Sequence, residues 1–122
     1  MSYIRFVVGS ESDSPRTQHG LFTEIESLRK EEKLQDYQVA LVKDIFDYFN
    51  HHLPVPPYSE KNWSTDAISW FKDSAKSYIE KMRDLSIILE ENDMLVRVLR
   101  TEKPGMILYE DEFQVVAQNR TH

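Results

Sequence analysis

The spacing of apolar residues along the chain predicts three helices. Apolar side chains recur with helical spacing over residues 21–28, and a second stripe over residues 41–53 follows Asp36, a residue type favoured at helix N-caps. The longest stripe lies within residues 74–91, and Asn92 just beyond it is the predicted left-handed C-cap. Each helix therefore has one apolar face that has to pack against another part of the chain.

Short apolar segments with a two-residue period predict the strands. In residues 3–8 the two-residue period places Ile4, Phe6 and Val8 on one face, with Arg5 between them. Residues 67–71 are interpreted as a short strand, with a helix capped by Ser64 or Thr65 as the alternative. Three further strands are predicted near the C-terminus, at residues 94–101, 106–109 and 113–117.

Two turn signals organise the C-terminal third. Pro104 and Gly105 form the pair preferred at the centre of a type II turn, and the charged residues 110–112 are few enough to force antiparallel pairing of their flanking strands. The order of elements predicts one α+β domain over residues 1–122. Its helices are expected to pack on one face of a mixed or antiparallel sheet that ends in a three-stranded meander. The polar residues 9–17 are predicted to form a surface loop.

Composition narrows the classes of function. The 122 residues include no Cys, which excludes a disulfide scaffold and a thiolate metal site and fits a reducing compartment. A formal charge of −6 disfavours nucleic-acid binding, because phosphate backbones attract basic surfaces. We expect neither a secretory signal nor a membrane span, since the apolar runs are short, and hence a cytoplasmic protein. No glycine-rich phosphate loop is present, so no cofactor is expected.

Three arginines on predicted strands are candidate ligand-binding residues. If their strands are neighbours, the guanidinium groups of Arg5, Arg97 and Arg100 are able to converge on a phosphate or a carboxylate. The alternative is that these charges simply face water, as charges on strands usually do.

Acidic and imidazole side chains supply two further candidate sites. Glu110, Asp111 and Glu112 occupy the last predicted turn, where clustered carboxylates are able to bind a divalent cation or act as a general base. Asp47 and His51 are four residues apart on one helix face and form a weak candidate pair of metal ligands. The plainer alternatives are a solvated hairpin tip and a histidine favoured by the helix dipole, so no metal is assigned.

Aromatic residues surround the proline-rich connection that follows the second helix. Tyr58, Trp63, Trp70 and Phe71 either anchor this connection to the core or form a surface that docks a partner's peptide. We favour the core.

Residues 67–72, 96–101 and 104–117, with 20–22 and 53–56, form a pattern that spans most of the chain. In this pattern the chain resembles a family of short uncharacterised bacterial proteins. The resemblance implies a bacterial origin and an unassigned role, and it supplies no catalytic residues.

Arg5, Ser69 and Glu112 occur in an order that resembles the ADP-ribosyltransferase fold, where an Arg, a Ser and a Glu on successive strands line an NAD cleft. The resemblance makes these three residues candidate catalytic groups, with Glu110 as a further carboxylate in the same turn. The Ser-Thr-Ser-like pattern of that fold is missing here, which makes this the less favoured alternative.

The leading expectation is a non-enzymatic intracellular protein that acts by binding a protein partner or by self-association as a homodimer. Aromatic residues are plentiful, and no convergent catalytic set is apparent. An open sheet also has to manage its edge strands. The alternative is an enzyme or small-ligand binder that uses the strand arginines for an anion or a nucleotide.

Overall fold

The computed structural model describes residues 1–9, 19–57, 63 and 67–118, and all statements of structure refer to these. The elements are β1 (Tyr3–Val8), β2 (His19–Gly20), α1 (Leu21–Lys30), α2 (Asp36–His52), β3 (Ile68–Lys72), α3 (Lys76–Glu91), β4 (Val96–Thr101), β5 (Met106–Glu110) and β6 (Gln114–Gln118). The predicted α+β class is confirmed. Tyr58 and, except for Gly9, the predicted loop at residues 9–17 lie outside the described residues.

The apolar stripes of the three helices and one face of β1 form a single core. Leu21 and Ile25 of α1, Ile45 of α2, Leu85 of α3 and Phe6 of β1 all belong to one buried cluster. The strand side of this cluster follows from alternation, since Ile4 and Phe6 are buried in it while their neighbour Arg5 points to the other face. We call the face of the sheet that contacts the helices the helix-side face, and the opposite one the second face.

All pairs of strands in the described residues are antiparallel, and β1 contacts three partners. On one side it pairs along its full length with β4, from Tyr3 with Thr101 to Val8 with Val96. On the other side its first half pairs with β3 and its second half with β2. The sheet continues from β3 to β6 and β5. Two residue pairs therefore join the half that contains β4 to the half that contains β5.

The predicted three-stranded meander forms only in its second half. β5 and β6 make the expected antiparallel hairpin, whereas β4 pairs with β1 at the other edge of the sheet. β1 is the better partner because it matches β4 over six residues and places Val96 beside Val8, against the helix-side core. Gly105 has a φ of 117°, which only glycine adopts readily, so it still marks a sharp turn between the two strands.

The short connection between β4 and β5 requires the sheet to curl. Residues 102–105 allow at most about 18 Å between Thr101 and Met106. In a flat sheet, four strand spacings separate β4 from β5, because β1, β3 and β6 lie between them. These spacings add up to about 19 Å, and any offset along the strands makes the distance longer. The two halves of the sheet therefore bend toward each other.

Of the two predicted helix caps, that of α2 is displaced by one residue, whereas Asn92 is the C-cap of α3 as predicted but is not left-handed. The N-cap of α2 is Gln35 rather than Asp36, because Gln35 and Gln38 form a reciprocal capping box in which the Gln35 N–H donates to Gln38 Oε1 at 2.9 Å. After α3 the left-handed residue is Asp93, with a φ of 64°, rather than Asn92, whose side-chain amide donates to the Ile88 carbonyl at 2.9 Å. None of the described helices has the length and apolar composition needed to cross a bilayer.

Shortening Leu85 in the middle of α3 is expected to destabilise the domain strongly. This side chain is fully buried, so Leu85→Ala should lower the free energy of unfolding by about 2–5 kcal/mol through lost apolar burial and a residual cavity. Ile87 lies two residues away and is 57% exposed, so Ile87→Ala is the matched control and should cost less than about 1 kcal/mol. Urea unfolding measures both, and equal costs would contradict the assigned buried face.

Candidate functional site

Two of the three candidate arginines share the second face of the sheet. Val7 pairs with Arg97 and Arg5 pairs with Leu99, so the two arginines are diagonal neighbours on adjacent strands. Both are half-buried. Arg100 pairs with Ile4, which faces the helices, so Arg100 lies on the helix-side face and is exposed. The register thus brings Arg5 and Arg97 together and separates Arg100 from them.

The three residues that resemble an ADP-ribosyltransferase site do not share one face. Ser69 and Phe71 are two residues apart on β3, so their side chains point to the same face of the sheet. Phe71 packs against the helix-side core, so Ser69 lies on the helix-side face. Ser69 is exposed. Arg5 lies on the second face. Glu112 is exposed in the connection between β5 and β6. The sheet itself therefore separates Arg5 from Ser69.

The carboxylates of the last turn have separate roles. Glu110 forms an ion pair with Lys72, with Oε2 and Nζ 2.6 Å apart. The pair joins the end of β5 to the end of β3. The Lys72 side chain is only 12% exposed. Glu112 is exposed. Asp111 is engaged by hydrogen bonds within its own turn, so the three side chains do not converge.

Asp111 is held by four hydrogen bonds from its own hairpin. Oδ1 accepts from the N–H groups of Phe113 at 2.8 Å and Gln114 at 3.0 Å, and Oδ2 accepts from the Tyr109 hydroxyl at 2.8 Å and the Gln114 side chain at 3.0 Å. Partial burial alone would raise the pKa of Asp111, but these bonds to the charged form outweigh it and hold the pKa below its ordinary value. Gln114 also donates to the Pro54 carbonyl at 2.6 Å, which ties this hairpin to the end of α2. Asp111 is therefore part of the architecture of the turn.

The candidate metal ligands Asp47 and His51 are both exposed on α2. His51 Nδ1 lies 2.7 Å from the backbone oxygen of Asp47, a contact within the helix rather than with the Asp47 carboxylate. In the part of the chain that the structure describes, no group of three or more His, Asp or Glu side chains is placed to hold a metal ion.

The aromatic residues of the proline-rich connection divide between the two faces. Phe71 packs against the helix-side core, with its ring centroid 6.2 Å from that of Phe49. Trp70 is half-buried and pairs with Val115 on the second face. The Trp63 ring lies 6.5 Å from the Tyr109 ring. Tyr58, the fourth member, is outside the described residues.

The free side of β4 is a further candidate site. The Gly9 N–H donates to the Leu95 carbonyl at 3.2 Å, which fixes the phase of the hydrogen-bond ladder between β1 and β4. Because bonded and non-bonded pairs alternate in an antiparallel ladder, Val96, Val98 and Arg100 direct their backbone N–H and C=O groups away from β1. No described strand pairs with them. Val98 is also 53% exposed, so the centre of this edge is apolar as well as unpaired.

The opposite edge of the sheet is less available for pairing. β5 contains a shift of register between Ile107 and Tyr109, a bulge of the kind that bends an edge strand and interrupts its ladder. Glu110 at its end is held by Lys72. β4 has neither a register shift nor a proline or lysine, so it is the more regular of the two edges.

Comparisons with protein-family models, with curated proteins and with solved structures find no match to this chain. The resemblance to a family of short bacterial proteins therefore stays a prediction.

Replacing Asp111 by Asn should destabilise the hairpin in a pH-dependent manner. The amide keeps the shape of the carboxylate but loses acceptors, so Asp111→Asn should lower the free energy of unfolding by about 1–3 kcal/mol near neutral pH. A lowered folded-state pKa stabilises the native chain above the ordinary value of 3.8, and this contribution is lost as the pH falls through the folded-state pKa. The difference between the variant and the unmodified chain should therefore shrink in acid.

The measurement is urea unfolding at neutral pH and at several acidic values. Glu112→Gln is the matched control, because Glu112 is the exposed neighbour in the same turn and its loss should change stability by less than about 0.5 kcal/mol. A cost for Asp111→Asn that is unchanged in acid would show that the carboxylate charge is not what the turn uses.

Proposed function

We propose that this chain is an intracellular binding protein that acts by self-association, and that β4 of one copy pairs with β4 of a second copy. The observation that carries the proposal is the free side of β4, whose outward N–H and C=O groups have no strand partner among the described residues. Such an edge is a template for another strand. The absence of Cys from the sequence fits a reducing intracellular compartment.

A second copy is the favoured occupant because β4 is self-complementary in one register. If a twofold axis passes through Val98, then Val98 faces its own copy, Val96 faces Arg100 and Arg97 faces Leu99. Each outward-directed residue then meets another outward-directed residue, which allows the backbone groups to bond in pairs. No arginine faces an arginine directly, and the one like-charge contact is diagonal, between Arg97 and its own copy on the second face.

The scatter of the other candidate groups supports binding over catalysis. Arg5 and Ser69 lie on opposite faces, and Asp111 is engaged in its turn. A chemical site would need these groups within reach of one substrate. The β4 edge needs no such convergence, because main-chain groups supply most of its hydrogen bonds.

The dimer is expected to be weak and concentration-dependent. One added strand pair buries less surface than the roughly 1,200–2,000 Å² of a standard stable interface. The formal charge of −6 on each copy also opposes association, most strongly at low ionic strength. Light scattering coupled to size exclusion should therefore show a mass that rises from 14.5 kDa toward twice that value as the protein concentration increases.

Charged substitutions at Val98 test both the edge and its register. Val98→Lys places two ammonium groups opposite each other at the twofold axis and should abolish association, whereas Ile107→Lys adds the same charge to the other edge at similar exposure and should leave it intact. Mixing Val98→Lys chains with Val98→Glu chains should restore a heterodimer, because opposite charges then meet. A chain that is monomeric at every concentration, or a Val98→Lys variant that associates as the unmodified chain does, would overturn the proposal.

A further inference from the structure

Arginine side chains lie beside the edge of the sheet at which we propose that two copies pair. Arg97 of β4 and Arg5 of β1 are diagonal neighbours on the second face, and both are half-buried. The Nη1 atom of Arg97 is shielded from solvent, so water screens its charge less than it would screen the charge of an exposed arginine. Neither β1 nor β4 contains an acidic residue. These two strands therefore contribute only positive charge to the second face beside this edge.

Pairing of two copies through β4 brings the arginines of both chains together, an inference that rests on the proposed self-association. With the twofold axis at Val98, Arg97 of each copy faces Leu99 of the other, and Leu99 also faces Arg5 of its own chain. On the second face the two Arg97 residues are then diagonal neighbours, with Cα atoms about 7–8 Å apart. Arg5 of one copy and Arg97 of the other lie on either side of one Leu99, two strand spacings or about 10 Å apart. Four arginines thus surround two leucines at the centre of the dimer.

We propose that this twofold axis forms a binding site for a linear polyphosphate anion, which neither copy forms alone. Guanidinium groups bind phosphate oxygens through paired, charge-assisted hydrogen bonds, and each copy supplies two such groups, from Arg5 and Arg97. Three strand spacings, or about 14 Å, separate Arg5 of one copy from Arg5 of the other. A single phosphate group is too small to contact the arginines of both chains at once, whereas a chain of three phosphates extends from one pair to the other.

The bound anion also links ligand binding to dimerisation. Without it, the diagonal contact between the two Arg97 side chains is a repulsion that weakens the β4 pairing. A polyanion at the axis converts this repulsion into two attractions. Because the complete site exists only in the dimer, the anion has to raise the affinity of one copy for the other by the same factor as dimerisation raises the affinity for the anion.

Sedimentation of the full chain over a range of concentrations tests the proposal through the dissociation constant of the dimer. Sodium tripolyphosphate should lower this constant at least about tenfold relative to sodium chloride of equal ionic strength, because an anion bound only by the dimer shifts the equilibrium toward it. The ionic strength has to be matched, since salt alone weakens the repulsion between two copies of charge −6. Orthophosphate should change the constant less than about twofold, because one phosphate does not contact both pairs of arginines.

ATP shows whether the phosphate chain comes from a nucleotide. A larger effect than that of tripolyphosphate would identify a nucleoside triphosphate as the ligand, and an equal effect would identify the phosphate chain alone. Both results support the site.

Three variants locate the site. Arg97→Gln removes the charge nearest the twofold axis, so the chain should dimerise in chloride at least as well as the unmodified chain, and the effect of tripolyphosphate should disappear. Arg5→Gln leaves the β4 edge unaltered and should reduce the effect. Arg100→Gln is the matched control, because Arg100 belongs to the same strand but is exposed on the helix-side face, and it should preserve the effect. Thermal unfolding verifies that each variant is folded.

Failure of the anion site and failure of the dimer give different results. A dimer whose dissociation constant is the same in tripolyphosphate and in chloride would rule out the anion site and leave the proposed self-association in place. The same conclusion would follow if Arg97→Gln and Arg5→Gln responded to tripolyphosphate as the unmodified chain does. A chain that stays monomeric in both salts would rule out the dimer and the site together.

Discussion

The pairing of β1 with β4 is the contact on which the rest of the molecule depends. It is the longest ladder in the described sheet, and it holds the face of Ile4 and Phe6 against all three helices. The same ladder sets the positions of Arg5 and Arg97 on the second face and leaves the outward groups of β4 unpaired. A shift of this register by one residue would exchange the two faces of β4 and remove Val96 from the core.

Helices and strands were largely predictable because their signals are local. The apolar stripes of α1, α2 and α3 and the alternation in β1 give their positions to within a few residues. The partner of β4 was not predictable, since a turn signal at Pro104 and Gly105 is equally compatible with a hairpin and with a connection between distant strands. Pairing over long sequence separations depends on which faces the tertiary core needs, and the local sequence does not encode that choice.

The candidate sites also divide into those set by local geometry and those set by long-range strand pairing. That His51 and Asp111 are engaged locally follows from short-range geometry, a helix turn for one and a tight hairpin for the other. Arg5 and Arg97 are neighbours, whereas Arg100 lies on the other face. This arrangement depends on the register between β1 and β4, which are about ninety residues apart in the chain.

The distance along the chain between β1 and β4 has a consequence for synthesis. The paired residues are between 88 and 98 positions apart, so the first strand leaves the ribosome long before its main partner exists. Until then β1 has only its short pairings with β2 and β3, two residue pairs each, to hold it in a sheet. Contacts of such high sequence separation slow folding and expose apolar strands in the meantime. The backbone groups on the β4 side of β1 therefore stay unpaired by β4 until residues 96–101 have been synthesised.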